Sequence, residues 1–534
     1  MADIFNAATY LITANIEAGH AGRVAVLGSE ALTYGELDAR TTDLAAAYQC
    51  LGLRRDDRVM IVMSDDVPML TAILGAFRAG LVAVPVSTMF NGSELGSILA
   101  DSGARALLCS AAYAAAAAAA LPAAPGVEHV VLDGDAELPV PPGVRRWSWT
   151  EFASAAAAAP AAARDPVRSS GDSWGLWLYT SGTTGSPKAA MHRHANIRHV
   201  CETYGARVLG IRPDDSALSV AKMFFAYGIG NSVFFPLSVG GRTVLEPRRP
   251  SPEVIRDRLE RDRPTLFFGV PTFYATLLAS DIPDDSFSSV RLAASAGEAL
   301  PAPLQERFSR RFGVPIIDGI GSTEALHIFL SNRPDDIRPG TTGVPVPGYD
   351  VEVRTDQGGI APPGEPGALF VRGESTALGY WRRTDASRQV FQGEWLSTGD
   401  TYVRDEAGYF TCLGRNSDMM KAGGIWVSPG EVESRLLAHP LVRQAAVVAV
   451  PDADGLDKPV AVVTAAAGAD EQSLIAWCRD GLAHFKAPRR IVFVDDLPKT
   501  ATGKLQRFRV REQLTAQAPP LPGTAPAAAA GAAT

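Results

Sequence analysis

Residues 179–188 read YTSGTTGSPK and follow the apolar run 174–179, WGLWLY. Glycines and small hydroxyl residues leave main-chain N–H groups free to approach a polyanion closely. Ser181, Thr183 and Thr184 add hydroxyl donors, and Lys188 adds a point charge. The spacing is not GxxxxGK[ST], because the lysine lies three residues after Gly185. A flexible surface turn is the competing reading. The preceding apolar run and the closing Pro-Lys pair set this stretch apart from a linker and favour a phosphate grip.

Outward on the N-terminal side, helix and strand patterns alternate. Thr33 with Glu36 spells a capping box that opens a helix. Residues 58–63 are β-rich, Pro68 sits where a helix running to about Ala79 begins, and 81–86 and 104–108 are further apolar runs. Strands separated by helices of this length predict parallel α/β units, whose strands are buried on both faces. On the C-terminal side the texture changes. Residues 340–415 hold many glycines and prolines between short alternating runs, which predicts antiparallel β structure. Beyond Asp418 the alternation returns, with helices over 432–438 and 474–484 and strands over 445–450 and 491–494. Segments 111–125 and 153–163 are alanine-rich, as coding bias alone produces.

The chain has 534 residues, 46% hydrophobic and 20% charged. One core stops growing near roughly 250–300 residues, so at least two domains are expected. The division read from the sequence is 1–417, containing a β-rich subdomain at about 340–415, then 418–515, then a Pro/Ala/Gly-rich disordered tail at 516–534. The formal net charge of −8 excludes a general attraction for nucleic acid or an anionic membrane. The five cysteines are widely spaced, without C-x-x-C, which fits a reducing cytoplasm better than a disulfide framework or a zinc site. There is no signal-peptide pattern, and no apolar run reaches the roughly 20 residues that span a bilayer. His192, His194 and His199 lack a companion carboxylate or cysteine and are expected to be structural.

Three more segments carry chemistry. DGIGSTE at 318–324 follows the apolar run 314–317, so it is expected at a strand end. Its hydroxyl beside a carboxylate suits magnesium and phosphate, because magnesium prefers hard oxygen ligands; a helix N-cap at Ser322 or Thr323 is the alternative. STGD at 397–400, with Gly414, Arg415 and Asp418, offers a carboxylate for ribose hydroxyls and an arginine for sugar or phosphate; turn chemistry is the alternative. KTATGK at 499–504 places a lysine near the end of the smaller domain, where a lone lysine is ordinarily just solvated.

In this order, over more than 300 residues, these segments resemble the acyl-adenylate-forming superfamily of acyl-CoA synthetases, adenylation domains and luciferases. The resemblance covers about residues 20–515. It implies an α/β fold: a large N-terminal domain of α/β sheets plus a β-rich subdomain, then a small mobile α+β domain hinged at Asp418. It implies ATP, Mg²⁺ and coenzyme A as reactants and cofactor. Lys504 then matches the lysine that stabilises adenylate formation. Thr180, Ser181, Gly182, Thr183, Thr184, Gly185 and Lys188 match the phosphate loop. Thr323 and Glu324 match the phosphate and magnesium positions, and Asp400 and Arg415 the ribose contacts. Ser295, Ala296, Gly297 and Glu298, with Asp318, Gly319 and Ile320, match the adenine pocket. Lys421, Gly423, Gly424 and Trp426 match the segment that meets the pantetheine arm of coenzyme A.

KMFFAYGIGN at 222–231 and GSTEALHIFLSN at 321–332 are similar to the benzoate–CoA ligase subgroup. There the acid pocket is lined by positions matching Ala226, Tyr227, Gly321, His327 and Ile328. A flat aromatic acid needs a narrow slot with apolar walls; Tyr227 and His327 are expected to orient the carboxylate or touch the ring edge. The resemblance therefore implies an AMP-forming aryl-CoA ligase. An adenylation enzyme that loads a carrier-protein thiol shares every motif, and a silent binding protein or a luciferase-like oxygenase uses the same fold. Oligomeric state stays open, with a homodimer as one arrangement. Two positions depart from the superfamily: Ala189 and Ala190 follow Lys188 where glycine is usual, and Ile320 stands where an aromatic residue is usual.

Overall fold

The computed structural model describes residues 4–181, 187–415, 420–422, 425–451, 457–483, 486–499 and 505–517. The chain divides into two compact units. The first comprises Met1–Leu300, Leu304–Glu352 and Phe370–Thr398, and the second Pro301–Pro303, Val353–Leu369 and Gly399–Thr534. The passage between them falls within the strand Trp395–Arg404.

The first unit is built on two large sheets. One runs, in spatial order, Arg145–Ser148, His129–Asp133, Ala106–Ser110, Arg58–Val62, Val82–Pro85, Trp174–Ser181 and Pro187–Arg193. All its pairs are parallel except the last. The other runs Val344–Pro345, Ile328–Ser331, Ile316–Gly321, Leu292–Ser295, Leu266–Gly269, Ser216–Ser219, Arg242–Val244, Val24–Leu27 and Ala31–Thr33. Its centre is parallel and both ends are antiparallel. The expected capping box holds: Thr33 accepts from the Glu36 N–H while Glu36 accepts from the Thr33 N–H, starting the helix Tyr34–Cys50. The helix Val67–Arg78 starts at an Asp66 cap with Pro68 in its first turn. Part of the alanine tract forms the helix Ala114–Ala120, packed on the helix Gly92–Ser102. A Cβ on Gly92 would lie 2.5 Å from that of Ala119, so small residues on both helices set the close approach.

Residues 350–415 are β-rich, as expected. Asp400↔Arg415 opens an antiparallel pairing that runs to Arg404↔Phe410. In the second unit, Val442–Pro451 pairs antiparallel with Asp457–Ala465, which pairs parallel with Arg490–Phe493. Alternate residues feed two cores. Val447, Ala449, Ala461 and Val463 meet the helices Pro429–Leu437 and Glu471–Gly481, while Ala446, Val448, Val460 and Val462 meet the helix Arg507–Gln517. The chain is thus α/β, with an α+β unit toward its C-terminus. Residues 518–534, most of the expected tail, lie outside the described residues. Among the described residues, no helix is long and apolar enough to cross a membrane.

Candidate active site

The phosphate-grip segment joins two paired strands. Thr180 stands opposite Lys188, and Tyr179 opposite Ala189, in an antiparallel register. Gly182, Thr183, Thr184 and Gly185 lie outside the described residues, as does the side chain of Ser181. Ala189 and Ala190, the departures from glycine, are fully buried strand residues. Their methyl groups fill core where glycine would weaken the strand.

Lys188 Nζ lies 5.5 Å from the centre of the Tyr380 ring. The Tyr380 hydroxyl donates to Glu324 Oε1 at 2.6 Å. Tyr380 therefore joins two residues that the sequence placed in separate motifs. Glu324 forms no ion pair with a described residue. Its other carboxylate oxygen suits a hard divalent cation, so this residue fits magnesium.

The motif 318–324 lies at a strand end, as expected: Asp318, Gly319, Ile320 and Gly321 complete the strand Ile316–Gly321, and Gly319, Ile320 and Gly321 pair back on Ile328–Ser331. No helix follows, so the N-cap alternative fails. Instead 322–327 is a tight turn in which Ser322 Oγ accepts from the Ala325 N–H and Thr323 O accepts from the Leu326 N–H. Leu326 is fully buried with φ +67°, a conformation that costs a non-glycine residue on the order of 1–3 kcal/mol. A Cβ on Gly321 would lie 2.4 Å from the His327 carbonyl, so glycine is required there.

Ser295 ends the strand Leu292–Ser295 directly beside Asp318. Ala296 is buried, Gly297 has φ +94°, and Glu298 accepts from the Thr272 hydroxyl at 2.8 Å. Burial drives the Asp318 carboxyl well above its ordinary range, opposed by the Leu300 and Gly319 N–H groups and by Ser295.

Ala226 opens the short helix Ala226–Ile229 and is buried. Tyr227 donates its hydroxyl to Ala294 O at 3.1 Å, and His327 Nε2 lies 3.3 Å from Tyr227 O. A carbonyl only accepts, so Nε2 carries the proton and the imidazole is neutral. Burial lowers His327 to about 3. The Tyr227 hydroxyl and His327 Nε2 are engaged by backbone, and His327 Nδ1, buried with no partner among the described residues, is an acceptor in the neutral ring, so neither residue offers a charge or free donor to a carboxylate. The expected carboxylate-orienting role is withdrawn, and wall contact with the ring remains. His327 is boxed by Tyr204, Tyr227 and Phe235 at centroid distances of 5.3, 5.5 and 4.6 Å. Gly230 makes room for it: a Cβ there would lie 2.3 Å from His327 Cδ2. Ile328 begins the facing strand and packs over Gly319. Tyr204, Gly230, Phe235 and Tyr380 were not singled out from the sequence. Only Gly230 left a signal, as the second glycine of a short helical segment.

His192, His194 and His327 are buried and neutral; burial lowers the first two to about 4. In the unfolded chain the same rings titrate near 6.5. Between these values the unfolded chain binds protons that the folded chain refuses. Their contribution is complete above about pH 6.5 and is lost as pH falls toward 4, by about 1.4 kcal/mol per histidine per pH unit. The thermal midpoint should therefore drop steeply between pH 7 and 5; a flat midpoint over that interval would contradict the assignment.

In the second unit, Arg415 Nε lies 3.0 Å from Asp400 Oδ1, across directly paired strand residues. Lys421 pairs with Trp426 through the backbones of Met420–Ala422 and Ile425–Val427. Gly423, Gly424, Asp418 and Lys504 lie outside the described residues.

Comparison with known proteins points to one family over most of the chain. Residues 14–381 match the AMP-binding enzyme family, and 431–504 match the AMP-binding enzyme C-terminal domain. The chain is 42% identical to a benzoate–CoA ligase of Thauera aromatica over 516 residues, covering 95% of this chain and 96% of the relative. The solved benzoate CoA ligase of Burkholderia xenovorans superimposes with a TM-score of 0.86 at 41% identity, covering 95% of this chain and all of that one. An anthranilate CoA ligase solved with anthranoyl-AMP gives a TM-score of 0.89 at 36% identity, covering 96% and 98%.

Proposed function

The chain belongs to the AMP-binding enzyme family, within its benzoate–CoA ligase subgroup, and is an AMP-forming acid–thiol ligase; on that premise we propose that it joins benzoate or a ring-substituted benzoate to coenzyme A in two half-reactions. The observation that supports the acid assignment is the neutral aromatic packing of His327, on the same turn as Glu324, against Tyr204, Tyr227 and Phe235. An aromatic wall of this kind suits a flat ring and adds no second charge that would hold an aliphatic diacid.

In the first half-reaction a carboxylate oxygen attacks the α-phosphorus of ATP, the bond to the β-phosphate oxygen breaks, and pyrophosphate leaves. Both reactants are anionic, so the protein's task is to place positive charge and donors where negative charge accumulates. Lys188 and the loop 180–188 hold the β- and γ-phosphates. Magnesium held through Glu324 would supply charge neutralisation of the phosphates. Lys504 bridges the carboxylate and α-phosphate oxygens, and Thr323 donates to the α-phosphate. Asp400 and Arg415 receive the ribose. Ser295, Ala296, Gly297, Glu298, Asp318, Gly319 and Ile320 enclose the adenine. No general base is required, because a benzoic acid is already ionised near neutral pH.

In the second half-reaction the coenzyme A sulfur attacks the acyl carbon, the acyl–phosphate bond breaks, AMP leaves, and the thiol proton passes to solvent. The small domain, taken as 418–515, turns about Asp418 and withdraws Lys504. Lys421, Gly423, Gly424 and Trp426 then face the thiol's approach. One surface cannot serve both half-reactions equally, which is the physical case for the hinge. The need for ATP and coenzyme A supports a cytoplasmic location.

The test is direct. Purified protein given benzoate, ATP, Mg²⁺ and coenzyme A should release AMP, pyrophosphate and benzoyl-CoA with no partner protein. Adenylate formation without thioester would support the carrier-loading alternative. A panel of hydroxy-, amino- and halobenzoates with one fatty acid then ranks the ring substituents; preference for the fatty acid would overturn the aromatic assignment.

A further inference from the structure

Three successive carbonyls of the turn that presents Glu324 are each held from outside it. Thr323 O is contacted by His192 Nε2 at 2.8 Å, Glu324 O accepts from the Ala377 N–H at 2.8 Å, and Ala325 O accepts from Ser375 Oγ at 2.8 Å. The Tyr380 hydroxyl adds the fourth contact, to the Glu324 carboxylate itself. The strained Leu326 backbone follows immediately. A turn in a costly conformation persists only when its surroundings over-determine it, and these four bonds do so.

His192 is fully buried. Its protonation is set from both sides. Thr323 O only accepts, so Nε2 carries the hydrogen. Asn196 Nδ2 lies 3.0 Å from Nδ1 and also donates to Ser375 O at 2.9 Å, so Nδ1 accepts. Arg193 Nε donates to Asn196 Oδ1 at 3.1 Å, which fixes the orientation of that amide. The network links His192 to the same Ser375 that holds Ala325.

The strand Pro187–Arg193 explains why this matters. Lys188, Ala190 and His192 are two residues apart and so share one face of it. Ala190 bridges to Tyr380, and Lys188 lies over the Tyr380 ring. The strand that carries the phosphate-loop lysine therefore also pins the Thr323–Glu324 turn.

We propose that His192 is a positioning residue for ATP: through the Thr323 carbonyl it fixes the turn bearing Thr323 and Glu324 at a set distance from Lys188. The proposal rests on the functional reading above. Its role lies with the nucleotide first, because its bond reaches the Thr323 end of the turn, whereas His327 at the other end is held separately by Tyr227 O.

The experiment compares His192→Phe with His192→Gln. Phenylalanine fills the space without a donor, whereas the glutamine amide can donate to Thr323 O. His192→Phe is expected to raise the KM for ATP by about tenfold, the effect of losing the shorter of the two hydrogen bonds to the Thr323 carbonyl. The KM for benzoate should change less than about twofold by comparison. Calorimetric affinity for AMP, measured without magnesium, should fall in parallel, and His192→Gln should recover most of both losses. Ser375→Ala removes a different bond of the same turn and should shift the KM for ATP in the same direction, which keeps the test decisive where His192→Phe folds poorly. Equal damage from phenylalanine and glutamine, an equal rise in both KM values, or unchanged ATP kinetics would each overturn the proposal. Wild-type protein that adenylates no aromatic acid would instead overturn the functional reading.

Discussion

Lys504→Ala is expected to slow aryl-adenylate formation by about 10²–10³-fold, the usual effect of removing one preorganised charge donor from a developing negative charge. On the proposed reading two anions must meet in the first half-reaction, and Lys188 and Glu324 are assigned to the phosphates rather than to the space between the reactants. Lys504 is the residue proposed to bridge the carboxylate and α-phosphate oxygens. The second half-reaction does not need it, because the acyl carbon is already activated and the leaving AMP carries its own charge. Pyrophosphate exchange should therefore collapse, while thioester formation from synthetic benzoyl-adenylate stays within a few-fold of wild type. Equal loss in both assays would remove the two-conformation account and with it the hinge at Asp418.

The second large effect is expected at Gly230. An alanine methyl there would sit 2.3 Å from His327 Cδ2 and 2.6 Å from Nε2. The ring has no retreat, being flanked by Tyr204, Tyr227 and Phe235 and hydrogen-bonded to Tyr227 O. Overpacking of this kind costs about 1–3 kcal/mol, so kcat/KM for benzoate should fall by about 10- to 100-fold. The KM for ATP should hardly move. Combining Gly230→Ala with His327→Ala removes the clash, and the double variant should be less impaired than the sum of its parts predicts. Strict additivity would mean that the two residues do not meet.

The α/β alternation was readable because parallel strands buried on both faces are continuous apolar runs, as at 58–62 and 106–110. The phosphate grip was readable because glycine and hydroxyl residues cluster locally. The contacts that organise the site were not, because they depend on tertiary placement. Tyr380 meets Glu324 across 56 positions of sequence and carries no local pattern. Tyr204 and Phe235 look like any core aromatics until His327 is found between them. His192 was expected to be structural, and its contact with Thr323 O emerges only when two sheets are brought together. Tyr227 and His327 were expected to orient the carboxylate or touch the ring edge; the fold commits the Tyr227 hydroxyl and His327 Nε2 to backbone carbonyls, which favours the second. The strand end at 318–321 was readable from the apolar run before it; that two glycines let a second strand lie close against it was not.

The pairing of Thr180 with Lys188 bears on how such a gene can change. With the strand register fixed on both sides, the number of residues between those two positions is the inherited quantity. Base substitutions inside the loop alter donors one at a time and can be tolerated singly. An in-frame codon gained or lost forces either a rearranged loop or a one-residue slip, and a slip turns Lys188 and His192 together to the opposite face of their strand. Descendants of this sequence should therefore vary in spelling between 180 and 188 far more readily than in length.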